Sequence, residues 1–593
     1  MSSPVESPVS EPMTDEYDVV VVGSGGGALT GALLAQRAGL RTVVMEKTDR
    51  IGGTSAYSGG ACWLPGSAVQ QRAGIPDSTD SARAYLDAVL APVDGWAPDP
   101  VRVEAFLAQS PRVVAALEEA GIDFEWLPFP EYYDAPGRCP MGRSIQPTAV
   151  KRDQLPPEVA ALVRPPVERD RVDGEGRGTL SGGQALIARL AATFVGAGGT
   201  IRTGHCVRDL MTQTDATGDH VVGAWATTET GPVEVRARRG VLLGSGGFEG
   251  SESRRHAHGT PGRAAWTMAP RGTNTGEPIS AAINAGAAVD WTGLGWFCPG
   301  LEHPDGAGSF TLGFRSGVMV DAHGRRYANE SLPYDRFGRE MAKDPARVPS
   351  WFVFDSREGG RLPGIAMPEG DPADHLTAGT WVRAESVEGI AAAIGVPEAE
   401  LVATVERYNG FCATGVDEDF GRGADEYDTF FTYGEGPNKA LTPVDQGPYY
   451  AARFVLSDLG TKGGVVTDEV PALLALNLDL RNEYVKDCQS GLKRWNRILE
   501  KNGFDDRVYL PHVGFNRQVG LFSSHELTPK GDLISADVWA STQDDWLPSE
   551  ADRTFVQNLM RPVYEPGKIA GWIAPPSNGI NGKPFEYEYV HLA

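Results

Sequence analysis

Gly23, Gly25 and Ala28 stand in the spacing G-x-G-x-x-G/A, and a carboxylate, Glu46, follows about 20 residues after them. Small residues at those places suit a diphosphate. Gly23 allows a tight turn, Gly25 lets backbone approach the phosphates, and Ala28 lets a helix pack closely on a strand. Glu46 is placed to accept from ribose hydroxyls, so the chemistry on offer is capture of a dinucleotide.

That chemistry needs a strand, a helix and a second strand in register. Asp18 to Val22 is a β-branched apolar run without alternation, the pattern of a parallel strand buried on both faces. An Ala/Leu-rich helix is expected from Ala28 to Ala38, its unpaired N–H groups and those of Gly26 and Gly27 facing the phosphates. A second strand, Arg41 to Met45, delivers Glu46 and Lys47. A further glycine and hydroxyl loop comes next, with Gly53-Thr54-Ser55 and Ser58-Gly59-Gly60. A nicotinamide dinucleotide needs no such loop there. A flavin dinucleotide does, because its ribityl-diphosphate chain threads past amides and hydroxyls. The expected cofactor is therefore FAD, held non-covalently. Ala237 to Phe248 reads as another apolar strand, stopped at Gly246-Gly247 where it would face the same ligand. Thr275 or Asn274 reads as the cap of a helix over Ile279 to Ala287.

At 593 residues the chain has room for two or three domains. A formal net charge of −24 argues against nucleic acid or an anionic membrane as partner, and no apolar run reaches membrane-spanning length. Six scattered cysteines without a C-x-x-C pair suit reduced thiols in the cytoplasm rather than a metal site. The expected order is a solvated tail (1–16), an FAD-binding domain (17–293), an aromatic-rich substrate-covering domain (294–450) and a short return to the first domain (451–469). The fold class is α/β: a Rossmann-like FAD-binding domain with an inserted α+β catalytic domain.

Several blocks carry a family likeness: VVVVGSGGGALTGALLA, EKTDRIGGTSAYSGGACWLPG, RRGVLLGSGGF, NTGE, RRYANESLPY, YNGFCATGVDEDFGRG and DLGTKGG. In order and spacing, residues 15–469 resemble the flavin-dependent 3-ketosteroid dehydrogenases, within the wider fumarate-reductase-like flavoproteins. The resemblance implies introduction of a C1–C2 double bond into a flat, apolar 3-ketosteroid, with an external electron acceptor that the sequence does not identify. It makes Tyr334, in ANESLPY, the base that removes the C2 proton. Its hydrogen-bonding partner is then Tyr132, with the adjacent Tyr133 as the alternative. A C–H beside a polarised ketone is acidified, so a tyrosinate can take the proton while flavin N5 accepts hydride from C1. Free tyrosine titrates near 10, roughly, so Tyr334 needs a neighbour that stabilises its anion. Trp296, Phe297, Phe310, Phe314, Phe352 and Phe354 are expected to line or support an apolar cleft. Two other readings stay open: a relative acting at C4–C5 or on another enone, and a scaffold that binds FAD without turnover.

The sequence departs from that family twice. Glu277-Pro278 stands where the family has Asp-Gly. After Glu469 the family's glycine-rich return strand and last helix, with a tyrosine and a glycine N–H that polarise the ketone, are not matched; residues 470–593 hold 9 of the 73 glycines and no Gly-Gly pair. Instead NLDLRNEYVKDCQSGLKRWNRILEKNGF and EPGKIAGWIAPPSNGINGKPFEYEYV resemble the C-terminal part of the oxygenase component of benzoyl-coenzyme A epoxidase, a diiron protein. A carboxylate-bridged diiron site takes two Glu-x-x-His pairs on helices. This segment has one, Glu588-Tyr589-Val590-His591, in a run that reads as extended, so no metal is expected. The chain thus reads as two unrelated pieces joined near residue 470, the second mainly helical (Ala472 to Leu499) and irregular.

Overall fold

The computed structural model describes residues 15–90, 99–172, 174–215, 218–432, 434–467, 507–509, 524–528 and 532–535. It falls into two compact units, Met1–Leu476 and Asn477–Ala593.

The first unit is built on β1 (Asp15–Val22), α1 (Gly26–Arg37) and β2 (Thr42–Met45). β1 pairs in parallel with β2 on one side and with Gly231–Leu243 on the other, and Thr200–Arg202 extends the parallel run beyond β2. Gly218–Thr228 and Cys206–Asp215 close the six-stranded sheet in antiparallel order. Val20, Val21, Val43 and Val44 are completely buried because both faces are covered. On one face α1 and the helix Gly182–Gly196 supply Leu29, Leu33, Ile187 and Leu190 to a single core. This is the doubly covered sheet that an unalternating apolar strand requires.

The structure moves several expected boundaries. β1 begins at Asp15, inside the expected tail, because Asp15 pairs with Arg202 at 2.5 Å and the Glu16 carbonyl accepts from Arg41 at 2.9 Å. α1 starts at Gly26 and ends at Arg37. The strand expected from Ala237 starts at Gly231 and stops at Leu243; its first half alternates charged Glu234, Arg236 and Arg238 outward, which hides it from a search for apolar runs. The helix expected from Ile279 is Glu277–Asn284, and neither Thr275 nor Asn274 caps it. Gly276 does, with φ +79°. Pro278 sits in its first turn, where the missing N–H has no intrahelical partner to lose.

The second layer of this unit is an antiparallel sheet of Val289–Leu301, Tyr449–Val465, Ser350–Asp355 and Val318–Val320, with Trp381–Ala384 also paired to Tyr449–Val465. Phe297, Phe314, Phe352 and Phe354 are at most 2% exposed and form its core, so they support the site from behind. The helix Tyr334–Ala342 lies on Val289–Leu301, and Gly338 permits the approach: a Cβ there would come within 2.7 Å of Phe297 and Cys298.

The described residues of the second unit are three strands, Arg507–Tyr509, Ser524–Thr528 and Asp532–Ser535, in one antiparallel meander. Irregular chain was expected there. The helix expected from Ala472 to Leu499 and the pair Glu588 and His591 lie outside the described residues. Among the described residues no helix is long and apolar enough to cross a membrane.

Candidate active site

A cleft of about 820 Å3 opens over the C-terminal ends of the parallel strands. Gly23, Gly25, Gly26, Gly27, Ala28, Glu46, Lys47, Gly53, Thr54, Ser55, Gly246 and Gly247 line it. Gly23 has φ +94°, and a Cβ there would lie 2.6 Å from the Gly244 carbonyl, so the turn requires glycine. Gly25 precedes α1 and has no side chain to cap it; the Gly26 amide is engaged by Ser55, and the amides that follow it in the first turn face an anion in the cleft. Only the Ser55 hydroxyl, at 3.5 Å, stands near a Cβ built on Gly25. Ala28 packs on Gly244 so tightly that any Cβ on Gly244 would sit 2.6 Å from that of Ala28.

Glu46 is buried, and its two oxygens are held by the Ser24 hydroxyl at 2.5 Å and by the Thr48 amide at 2.9 Å. Ser24 in turn accepts from the Gly52 amide at 2.9 Å, tying the first glycine loop to the second. The Ser55 hydroxyl accepts from the Gly26 amide at 3.2 Å. Thr54 is the telling residue: its hydroxyl is buried against the cleft and has no hydrogen-bond partner among the described residues. A buried hydroxyl left alone is costly, and a polar group of a ligand would satisfy it.

Ser58, Gly59 and Gly60 do not line the cleft. The Ser58 carbonyl accepts from Gly183 at 2.9 Å, and a Cβ on Gly60, φ +72°, would overlap the Gly182 backbone. They seat the loop on the helix Gly182–Gly196. Lys47 reaches the cleft but is engaged by the Thr275 hydroxyl at 2.7 Å and by Glu277 at 3.0 Å. Burial pushes the Glu277 carboxyl up, and hydrogen bonds from Thr275 and Lys47 outweigh it, bringing its pKa down to about 2. The extra methylene of this glutamate lets it reach Lys47 and also Arg208, at 3.1 Å.

Residues that the sequence reading missed close the cleft on the far side. Glu249 accepts from Asn274 at 2.5 Å and from the Thr461 amide and hydroxyl at 3.2 and 3.1 Å. A Cβ on Gly247 would overlap that Thr461 hydroxyl. Burial raises the pKa of Glu249 against these donors. Leu459 to Thr461, at the end of Tyr449–Val465, thereby become part of the wall.

Leu459 also touches a second cluster, made of Cys298, Leu312, Tyr334, Phe129, Tyr132, Phe310 and Phe431. Tyr334 opens its helix after Pro333 and is 8% exposed. The turn before it is pinned by Glu330, which binds Arg326 at 2.8 Å and Arg422 at 3.2 Å with all three side chains buried, and by Asn329, which donates to Asp428 at 2.9 Å. Arg336, on the helix that carries Tyr334, donates to the Tyr132 carbonyl at 2.8 Å. The Tyr132 ring therefore stands edge-on to Tyr334, with centroids 5.6 Å apart. Tyr133 points elsewhere, bound through its hydroxyl to Arg339 at 2.6 Å. Phe310 and Trp296 complete the surroundings of Tyr334 at 4.7 and 6.3 Å. Burial pushes the Tyr334 phenol well above its ordinary 10, and a hydrogen bond from the Tyr132 hydroxyl pulls it part of the way back.

Comparison with known proteins shows the family and the fold. The FAD binding domain family model matches residues 18–473. The 3-oxosteroid 1-dehydrogenase of Rhodococcus opacus is 39% identical over 479 residues, 77% of this chain and 89% of that protein. The crystal structure of 3-ketosteroid Δ1-dehydrogenase from Sterolibacterium denitrificans, in complex with 1,4-androstadiene-3,17-dione, superposes with a TM-score of 0.68 at 30% identity, covering 77% of this chain and 90% of that one. A separate match, 49% identical over 128 residues, joins 22% of this chain to 27% of benzoyl-CoA oxygenase component B of Aromatoleum evansii. The chain belongs to the FAD-binding oxidoreductase family of the 3-oxosteroid 1-dehydrogenases.

Proposed function

We propose that this chain introduces a C1–C2 double bond into a 3-ketosteroid, with FAD held non-covalently in the cleft above β1 and β2. The observation that carries this reading is the buried, paired Tyr334 and Tyr132, set in an apolar wall that shares Leu459 with the cofactor cleft. Gly25 to Ala28 and the first turn of α1 take the diphosphate, Glu46 the ribose, and Thr54 and Ser55 the polar chain between diphosphate and ring. Gly246 and Gly247 border the ring end. His205 lines the cleft beside Glu46, its amide bonded to the Glu46 carbonyl at 2.8 Å, which puts this histidine at the ribose end rather than at a ring it could bond covalently.

When bound, FAD supplies the acceptor for the hydride that leaves C1. Tyr334 takes the proton from C2. Tyr132 donates to the Tyr334 oxygen, so part of the negative charge is stabilised before the C–H bond is broken. Phe310, Trp296 and Phe129 exclude water and present hydrocarbon to a flat ligand, at about 25 cal/mol per Å2 of apolar area buried. The ketone-polarising donors of the family's last segment have no match in the sequence, so turnover is slow. Loss of one such donor costs about 100- to 1,000-fold in other enzymes. Residues 17–293 act as the cofactor domain, to which 451–469 return, and 294–450 cover the substrate.

The test is product analysis. The purified full chain, given a saturated-ring-A 3-ketosteroid and an artificial electron acceptor, is expected to yield the 1,2-unsaturated product. Unsaturation at C4–C5 alone, or turnover of small dicarboxylates in place of steroids, would overturn the assignment.

A further inference from the structure

Tyr427 belongs to the same aromatic cluster, and its hydroxyl has no role in the chemistry above. Its ring is 2% exposed and stands edge-on to Tyr132 at 5.5 Å, to Phe129 at 5.8 Å and to Phe431 at 5.9 Å. The hydroxyl oxygen is buried without a hydrogen-bond partner among the described residues. The adjacent Asp428 makes no hydrogen bond to it; its Oδ2 accepts from Asn329 at 2.9 Å and from the Gly423 amide at 2.8 Å. An unpartnered buried hydroxyl costs stability that phenylalanine would not. Packing explains the ring and leaves the oxygen unexplained.

We propose that Tyr427 is a positioning residue for proton abstraction: its hydroxyl donates to the Tyr132 oxygen when Tyr334 carries negative charge. This rests on the reading of Tyr334 as the base. The three hydroxyls then form a row, Tyr427 to Tyr132 to Tyr334, in which each O–H donates to the next oxygen and polarises the following bond. No proton changes owner within the row. The proton from C2 ends on Tyr334, and Tyr132 and Tyr427 keep theirs.

The surroundings leave this task to hydroxyls. Tyr427, Cys298 and Asp335 beside Tyr334, Asp335 and Tyr85 beside Tyr132, and Asp428 beside Tyr427 would each disfavour a further negative charge if ionised, so Tyr427 can assist only as a neutral O–H donor. Arg336, on the Tyr334 helix, is turned to the Tyr132 carbonyl rather than to its hydroxyl. Asp335 is itself answered by Arg339 at 3.1 Å.

The test is Tyr427→Phe in the full chain with FAD, a change that removes one atom and keeps the ring. The rising limb of the pH profile for ketone-driven flavin reduction is expected to move up by about one unit, a roughly tenfold slower reaction at a fixed pH. FAD content is expected to stay the same and thermal stability to hold or rise. Superimposable profiles, or an equal loss at every pH, would overturn the proposal. If the parent shows no ketone-driven reduction, the functional reading fails separately. The row is then judged by alkaline absorbance titration of the Tyr334 phenol, taken as the difference from Tyr334→Phe. An upward displacement in Tyr427→Phe supports the row, and an unchanged midpoint refutes it.

Discussion

The Tyr132 ring meets the Tyr334 ring edge-on, at 78° and 5.6 Å between centroids, which sets beside the phenol assigned as base the hydroxyl that the proposed mechanism uses as its donor. Burial holds the Tyr334 phenol well above 10, so below that pH the reactive phenolate grows about tenfold per pH unit. The value of kcat/KM should therefore rise with pH through the neutral and mildly alkaline range. Tyr132→Phe removes the donor, raises the Tyr334 pKa further and should slow the reaction by about tenfold at neutral pH. A pH–rate series on both proteins checks this, and a flat profile in the parent would exclude a phenol as the base.

Gly25→Val places a branched side chain in the cleft and almost nowhere else, since only the Ser55 hydroxyl stands within 4 Å of its Cβ. The expected protein is folded and colourless: thermal stability near that of the flavin-free parent, with bound FAD reduced at least about tenfold. Absorbance of the purified variant and a melting curve of each apoprotein make the comparison. Gly23→Ala is the contrast, because at φ +94° and 2.6 Å from a carbonyl the damage falls on the fold itself.

The cofactor cradle was legible in the sequence because each of its parts does a local backbone task. Gly23 turns, Gly25 clears space and Ala28 packs, all within one strand-helix unit. The second loop was only half legible: Gly53, Thr54 and Ser55 face the cleft, whereas Ser58, Gly59 and Gly60 have the same composition and seat the loop on a helix instead. Composition marks a loop and does not say which way it faces. Tyr132 and Tyr334 were reached through family likeness alone, because they come from distant segments that meet only in the fold, and Tyr427, from a third segment, went unread. Glu249 and Thr461 went unread for the same reason, since a glutamate after a glycine pair has no signature until the strand that it binds is in place.

Glu330 is the structural centre of the turn that presents Tyr334. Its carboxylate is buried between Arg326 and Arg422, and Glu330→Ala would leave two guanidinium groups without that partner. Breaking a buried pair in this way costs about 3–5 kcal/mol. Urea unfolding should show a loss of that order, and a loss under about 1 kcal/mol would mean that Asp417, which also binds Arg326 at 2.9 Å, suffices for that guanidinium.

Glu277 makes the protein sensitive to acid. Its pKa in the folded state is about 2 against an ordinary 4.5, so the stability it contributes is complete above about pH 4.5 and is lost as the pH falls through 2. With Glu277 partly exposed and its partners screened by solvent, the contribution is about 1–2 kcal/mol. Glu277→Gln should lack it, giving a shallower decline in thermal midpoint between those two pH values. Parallel declines in the two proteins would show that the contacts with Lys47 and Arg208 contribute nothing measurable.

The most direct test is anaerobic reduction of the bound flavin by a 3-ketosteroid, followed by absorbance in the full chain and in Tyr334→Phe. Both proteins should carry FAD, and the parent should bleach, slowly, on addition of the steroid. Tyr334→Phe should bleach at least about 100-fold more slowly, the usual worth of a positioned base. A parent that holds FAD and stays yellow with every 3-ketosteroid, or a variant that bleaches as fast as the parent, would contradict the assignment of Tyr334 and the dehydrogenation it is meant to begin.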